Sequence, residues 1–297
     1  MPRLYSLLVS WRGTTVAEQY YNGARAERLA NIKSASKSVI SALVGIAVDR
    51  RLLPGVTEPI STYFADLLPG PTNAAKRRIT IEDLLTMRSG LETTSNRNYG
   101  AWVQSPNWVR FALGRPLLAP PGQSMDYSTG NTHLLSAILT KATGRSTWQF
   151  AQDTLARPLG FSLAPWTRDP QGVYFGGNEM AMTPRQLLAF GELYLRGGRA
   201  NGTQILPAAW IDASFVPRGR SQRGDNDGRA YGYGWWMRTL AGHQAYYAWG
   251  FGGQFVFVVP DLDLVIVTTS SVAPGDQRRS HRRTVTDIVE DLVIAHA

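Results

Sequence analysis

The stretch NIKSASKSVISALVGIAV, residues 31–48, combines two kinds of residue that rarely share a helix. Ser34, Ser36, Ser38 and Ser41, with Lys33 and Lys37, run straight into a block of Val, Ile, Leu and Ala. The block is apolar nearly all round, which predicts a helix buried on every side. Its first turn is not what a core helix needs. Ser34 and Lys37 stand three apart, so on a helix they share a face with Cβ atoms about 5–6 Å apart. A serine hydroxyl is a weak nucleophile until a base takes its proton, and a lysine becomes that base when burial lowers its pKa. At a helix start Ser34 also meets free backbone N–H groups and the positive dipole end, which favour a developing anion. The tetrapeptide alone is weak. Chance supplies roughly 0.3 Ser-x-x-Lys matches in a chain with 20 serines and four lysines, and a capped helix with a snorkelling lysine reads the same way.

Outward from this segment the periodicity sorts the chain into three parts. Before it, LYSLLVSW and TVAEQYY alternate as two strands joined at Arg12-Gly13. Arg50 and Arg51 belong to the helix's last turn, and Pro54-Gly55 stops it. From about residue 56 to 230 helical segments alternate with Pro/Gly loops. Thr80 with Asp83 caps one; residues 131–144, with Leu134, Leu135, Ile138 and Leu139 on one face, form another; Thr183-Pro184 opens a third. After a polar loop at 219–230 the period returns to strands, QAYYAWG, QFVFVVP and LDLVIVTTS, with a Pro260-Asp261 turn between the last two. A final helix carries a stripe of Val285, Ile288, Val289, Leu292 and Val293. Short turns between the last strands argue for an antiparallel sheet. The expected fold is α/β (α+β): residues 1–55 and 231–297 form one discontinuous sheet domain flanked by helices, and 56–230 a mostly helical domain.

Composition narrows the chemistry. The chain has 297 residues, 43% of them apolar, and no cysteine, so disulfides, thiolate nucleophiles and Cys-based metal sites are excluded. No run approaches the roughly 20 apolar residues of a membrane span. MPRLYSLLVSWRG makes a poor signal core, so a cytoplasmic location is expected, or an extracytoplasmic one if a leader once preceded Met1. Net charge is +9, and 27 of the 31 basic residues are Arg. They are spread along the chain; the one tight cluster, QRRSHRR at 277–283, opens the last helix, so no nucleic-acid partner is expected. Arg220, Arg223 and Arg229 form a solvated loop or recruit an acidic substrate. G-x-S-x-G, H-E-x-x-H and G-x-G-x-x-G after a strand are all absent. His133 reads as a packed helix residue, and no cofactor or metal is expected.

Two further stretches give Ser34 and Lys37 company. Met125-Asp126-Tyr127-Ser128-Thr129-Gly130-Asn131 precedes a helix, and Ala248-Trp249-Gly250-Phe251-Gly252-Gly253-Gln254 lies at a strand edge. With Ser-x-x-Lys they follow the order helix, loop, strand of the S-x-x-K, S-D-N, K-T-G set. The chain resembles the serine hydrolases of the class C β-lactamase-like family, the β-lactamase-related or esterase group. ITIEDLLTMRSGL (79–91), MTPRQLLAFGELYLRGG (182–198) and GGQFVFVVPDLDLVIVTTS (252–270) extend the likeness over about residues 4–295.

The resemblance implies a β-lactamase/transpeptidase-like fold with the active site between the two domains. It implies Ser34 as the acylated nucleophile, Lys37 as its proton partner and Tyr127 as a general base, its phenol depressed by neighbouring cations. The backbone N–H groups of Ser34 and Phe251 would form the oxyanion hole, with Thr129, Trp249, Gly250 and Ala248 at the substrate. Two positions depart from the pattern: Thr129 stands where Tyr-x-Asn has Asn, and Ala248 where Lys-Thr-Gly has its positive charge. Both departures count against penicillin or cephalosporin turnover. A carboxylesterase is expected first. Second is an amidase resembling the 6-aminohexanoate-oligomer hydrolases, which the Tyr-x-Thr variant also matches, and third a weak β-lactamase or D-amino-acid peptidase. A non-catalytic cell-wall or nucleic-acid binder on the same fold is the alternative from another class. Trp249 is expected in the site, and Trp235 and Trp236 either there or between sheet and helices.

Overall fold

Arg12 and Gly13 both take left-handed φ angles, 51° and 77°, the two-residue turn whose twist matches a hairpin. They join β1 (Leu4–Trp11) to β2 (Thr14–Tyr20). The structure, a computed structural model, describes residues 1–221, 229–273, 275 and 278–296. From the other end of the chain come β3 (Gly219–Arg220), β4 (Ala230–Tyr231), β5 (Trp236–Leu240), β6 (His243–Gly250), β7 (Gln254–Val259) and β8 (Leu264–Ser270). All eight make one antiparallel sheet in the order β2-β1-β8-β7-β6-β5-β4-β3. The two chain ends meet along β1 and β8, from Leu4 opposite Ser270 to Trp11 opposite Leu264.

Every residue of β7 and β8 is buried, because both faces of the sheet are covered. The period of two sorts their side chains. Val256, Val258, Val265 and Val267 enter the larger core, on the side of α1 (Ser36–Asp49), α2 (Thr129–Thr143) and α3 (Pro184–Leu195). Phe255, Phe257, Leu264 and Ile266 face the other way and meet Val285, Val289 and Val293 of α4 (Arg278–His296). Gly191 lets α3 lie flat on the sheet; a Cβ there would stand 2.5 Å from Val265.

The opening segment is central, with twelve of the fourteen residues of α1 buried. The helix starts at Ser36, after a single 3₁₀ turn over Lys33–Ala35. It ends at Asp49, and Arg51 turns left-handed (φ 57°), so the stop falls before Pro54 and leaves Arg50 and Arg51 outside the helix. The expected caps are present. Thr80 with Asp83 and Thr183 with Gln186 form reciprocal capping boxes, and Gly144 closes α2 with φ 65°. The division drawn at residue 231 runs through the sheet's edge, since Gly219, Arg220 and Ala230 are already strand residues, and α3 packs on β1, β7 and β8. Among the described residues no helix is long and apolar enough to cross a membrane.

Candidate active site

Ser34 sits on the 3₁₀ turn that leads into α1, half-buried at the floor of a cleft of about 680 Å³. One turn on, Lys37 is 2% exposed. Its Nζ lies 3.1 Å from Ser34 Oγ, 3.2 Å from Thr129 Oγ1 and 2.8 Å from the Gly177 carbonyl oxygen. Three partners suit both protonation states. An ammonium donates to all three; a neutral amine donates to Gly177 and Thr129 and accepts from the Ser34 hydroxyl. Burial disfavours the charge and lowers the Lys37 pKa from 10.5 to about 7. Gly177 is required where it stands. Its φ is 97°, and a Cβ would come within 2.9 Å of Lys37 Cγ.

The loop before α2 brings Tyr127 to the same point, its buried phenol set beside the Ser34 hydroxyl at the cleft. The expectation of a depressed phenol is corrected here. Burial raises the Tyr127 pKa well above the ordinary 10, the Ser34 hydroxyl beside it lowering it only in part. The cation beside it is Lys37, which lies 5.0 Å over the ring face and is itself only partly charged near neutrality. Trp236 stacks on the same ring at 5.5 Å. Thr129, at the first position of α2, shares a 3.0 Å hydrogen bond with Ser95 Oγ, which also accepts the Thr129 N–H at 2.9 Å. Thr94 Oγ1 accepts from the Gly130 N–H at 2.8 Å. The LETTSN segment thus caps α2 from outside the helix and adds Ser95 to the cleft wall. Nothing in the sequence marks Ser95, which pairs across 34 positions with no motif.

The third wall is the end of β6. A Cβ on Gly250 would lie 2.0 Å from the Ile32 carbonyl oxygen, so only glycine allows the strand to run this close to the nucleophile's turn. Phe251 follows at the cleft rim, 46% exposed. Trp249 and Trp236 line the cleft, whereas Trp235 is fully buried among Phe190, Tyr194 and Phe215. Ala248, expected at the substrate, is corrected too. It is 1% exposed in the larger core and does not line the cleft, because strand alternation points it opposite to Trp249.

Of the remaining lining only Arg229 was among the residues named from the sequence for recruiting a substrate. Lys33 and Glu179 face the cleft as an ion pair of 2.7 Å, and Asn178 donates to the Tyr99 hydroxyl at 2.6 Å. Arg229 and Arg282 lie over the Trp249 ring at 5.8 and 5.3 Å. Arg220 is in β3 and is not among the lining residues, although Ser221 beside it is, and Arg223 lies outside the described residues. Among the described residues no group of three His, Asp or Glu could hold a metal ion. His133 is the packed helix residue expected, fully buried with Nε2 3.0 Å from Asp169 and Nδ1 accepting the Gly176 N–H.

Known proteins resemble this chain over most of its length. A curated 6-aminohexanoate-dimer hydrolase from Paenarthrobacter ureafaciens is 26% identical, over 91% of this chain and 73% of its own. A solved structure from Bacillus anthracis, provisionally named as a 6-aminohexanoate-dimer hydrolase, superposes with a TM-score of 0.78. It is 21% identical and matches over 99% of this chain and 80% of its own. EstCE1, described as a hydrolase with promiscuous acyltransferase activity, gives a TM-score of 0.76 at 17% identity, over 94% and 92%. The Beta-lactamase family model matches residues 5–290. With that match running through the Ser34 turn, the Tyr127 loop and the end of β6, the chain belongs to the beta-lactamase family and is a serine-type hydrolase on its fold.

Proposed function

We propose that Ser34 is acylated during turnover and that the substrates are carboxylic esters. The observation that supports this reading is the cluster of Ser34, Lys37 and Tyr127 at the foot of an aromatic cleft, with Lys37 Nζ 3.1 Å from Ser34 Oγ and 5.0 Å over the Tyr127 ring. The two titratable groups are pushed apart, which divides the roles between them. Lys37, near 7, is the base that takes the Ser34 proton. The Ser34 oxygen attacks the ester carbonyl, and the oxyanion is received by the backbone N–H groups of Ser34 and Phe251. Tyr127, still protonated, gives its proton to the departing alkoxide and recovers one from the Lys37 ammonium. Water then enters and loses a proton to Lys37, its oxygen bonds to the acyl carbon, and the bond to Ser34 Oγ breaks as Ser34 takes the proton back from the Lys37 ammonium, which frees the acid. Esters are favoured because the wall around Ser34 is largely aromatic, built by Tyr127, Trp236, Trp249 and Phe251, and the Lys33 charge beside it is balanced by Glu179. Brief treatment with a fluorophosphonate should add a single adduct, mapped to Ser34. An adduct elsewhere, or full p-nitrophenyl butyrate hydrolysis by Ser34→Ala, contradicts the reading.

A second reading is an amidase acting on linear amides. It is favoured by the 26% identical 6-aminohexanoate-dimer hydrolase and by Thr129 in the Tyr-x-Thr pattern. Side-by-side rates on p-nitrophenyl butyrate, a chromogenic cephalosporin and a linear ω-amino-acid dimer rank the two, with β-lactam turnover expected last.

A further inference from the structure

Lys33 and Glu179 close a ladder. Ala30 pairs with Met182 and Asn31 with Ala181, and the Ile32 N–H donates to the Met180 carbonyl at 2.9 Å. The next pair in this antiparallel register is Lys33 and Glu179. Lys33 Nζ donates to Glu179 Oε1 at 2.7 Å and Asn31 Nδ2 to Oε2 at 2.6 Å, while Asn31 Oδ1 accepts the Lys33 N–H at 3.0 Å. At this rung both chains leave the extended conformation through left-handed residues, Lys33 with φ 50° and Glu179 with φ 59°. Non-glycine residues stay there only when their surroundings impose it.

Each of these two residues leads to one atom of the proton path. Lys33 turns the chain directly into Ser34. Glu179 stands two residues after Gly177, whose carbonyl accepts from Lys37 and whose own position is tight against the Lys37 side chain. We propose that Glu179 is a positioning residue: its carboxylate ties the turn carrying Ser34 to the loop that holds Lys37. The inference rests on the reading of Ser34 as nucleophile and Lys37 as base. Glu179 touches neither reacting atom. Its ion pair with Lys33 is partly exposed (21% and 30%), so its direct contribution to stability is small, whereas geometry at the nucleophile is sensitive to small displacements.

The test is kcat per active site, with sites counted by phosphonate titration so that unfolded protein does not enter. Glu179→Ala is expected to lower kcat on p-nitrophenyl butyrate by about tenfold to a hundredfold, with KM changed by less than about threefold. The acid limb of kcat should also move to higher pH, because a loosened Lys37 is better solvated when charged. Glu179→Gln, which has the same shape and still accepts from Lys33 but sets its amide nitrogen against Asn31 Nδ2, is expected to recover most, not all, of the kcat lost in Glu179→Ala. Lys33→Met cuts the same bond from the other end and carries the same expectation should Glu179→Ala not fold. The double variant should be no worse than either single one, as for two halves of one interaction. Unchanged kcat and an unmoved acid limb in Glu179→Ala, or additive losses in the double variant, overturn the proposal. Activity retained by Ser34→Ala instead overturns the reading on which it rests, and is seen separately.

Discussion

Gly250 and Ile32 touch as closely as backbone allows, for a Cβ on Gly250 would stand 2.0 Å from the Ile32 carbonyl oxygen. Ile32 is two residues before Ser34, and Phe251 follows Gly250. The contact therefore sets how far the end of β6 lies from the nucleophile's turn. Gly250→Ala should push the strand end or the turn aside. Overpacking against backbone costs about 1–3 kcal/mol, a fall of several degrees in Tm, and an ångström of displacement at the reacting atoms costs up to about 10²-fold in rate. Thermal melts and p-nitrophenyl butyrate kinetics should show both losses. Wild-type kcat in a folded variant would contradict the role given to this contact.

Lys37 gives activity and stability opposite relations to charge. Only the neutral amine takes the Ser34 proton, so kcat/KM should rise through about pH 7 and level off above it, following the lowered Lys37 pKa. The folded pKa lies below the unfolded one, so between about 7 and 10.5 the unfolded chain binds more protons and stability from this group rises with pH. Below about pH 7 the full burial cost is present, on the order of 5 kcal/mol at most. Lys37→Met should abolish activity and raise stability, most at or below neutral pH and progressively less towards pH 10. Denaturant melts of both proteins across that range measure the difference; a gap that grows with pH would contradict it.

Tyr127 should matter in proportion to how much its leaving group needs a proton. Burial keeps the phenol protonated through the neutral range, which suits an acid better than a base. Tyr127→Phe should slow alkyl ester and amide hydrolysis by about 10²–10⁴-fold, the usual range for general acid catalysis. p-Nitrophenyl esters, whose leaving group is stable as an anion, should lose much less. No falling limb should appear below pH 10 in the wild type. Equal losses on all three substrates would mean that Tyr127 acts on Ser34 instead.

How much of this was legible in the sequence depends on distance along the chain. Ser34 and Lys37 could be read from a local spacing, and Tyr127 and Gly250 from short motifs on elements of the right kind. The hairpin at Arg12-Gly13 and the caps at Thr80 and Thr183 were equally local. The burial of Ala248 was also present, since HQAYYAWG puts Tyr247 and Trp249 on one face and Ala248 on the other. Ser95 and Glu179 were not readable. Ser95 acts on Thr129 through a loop that caps α2 from outside, and Glu179 meets Lys33 only through the register of a two-residue ladder. The direction of the Tyr127 shift was hidden for the same reason. It depends on how far the surrounding walls bury the phenol, which no neighbour in sequence reports.

Thr129 separates the amine's partners from its charge. Its Oγ1 accepts from Lys37 at 3.2 Å and is held by Ser95 at 3.0 Å. Thr129→Val keeps the shape and removes the acceptor. The ammonium then loses one of its three partners and the amine one of its two acceptors, and since the charged form depends more on such bonds, the Lys37 pKa should fall further. The acid limb of kcat/KM should therefore move to lower pH while the plateau drops by about tenfold, as one proton-holding contact is lost. Ser95→Ala leaves Thr129 Oγ1 in place and should give a smaller change in the same direction. A limb that moves to higher pH in Thr129→Val would mean that water enters beside Lys37, and that burial by the Thr129 methyl, not the hydroxyl's bond, is what this position supplies.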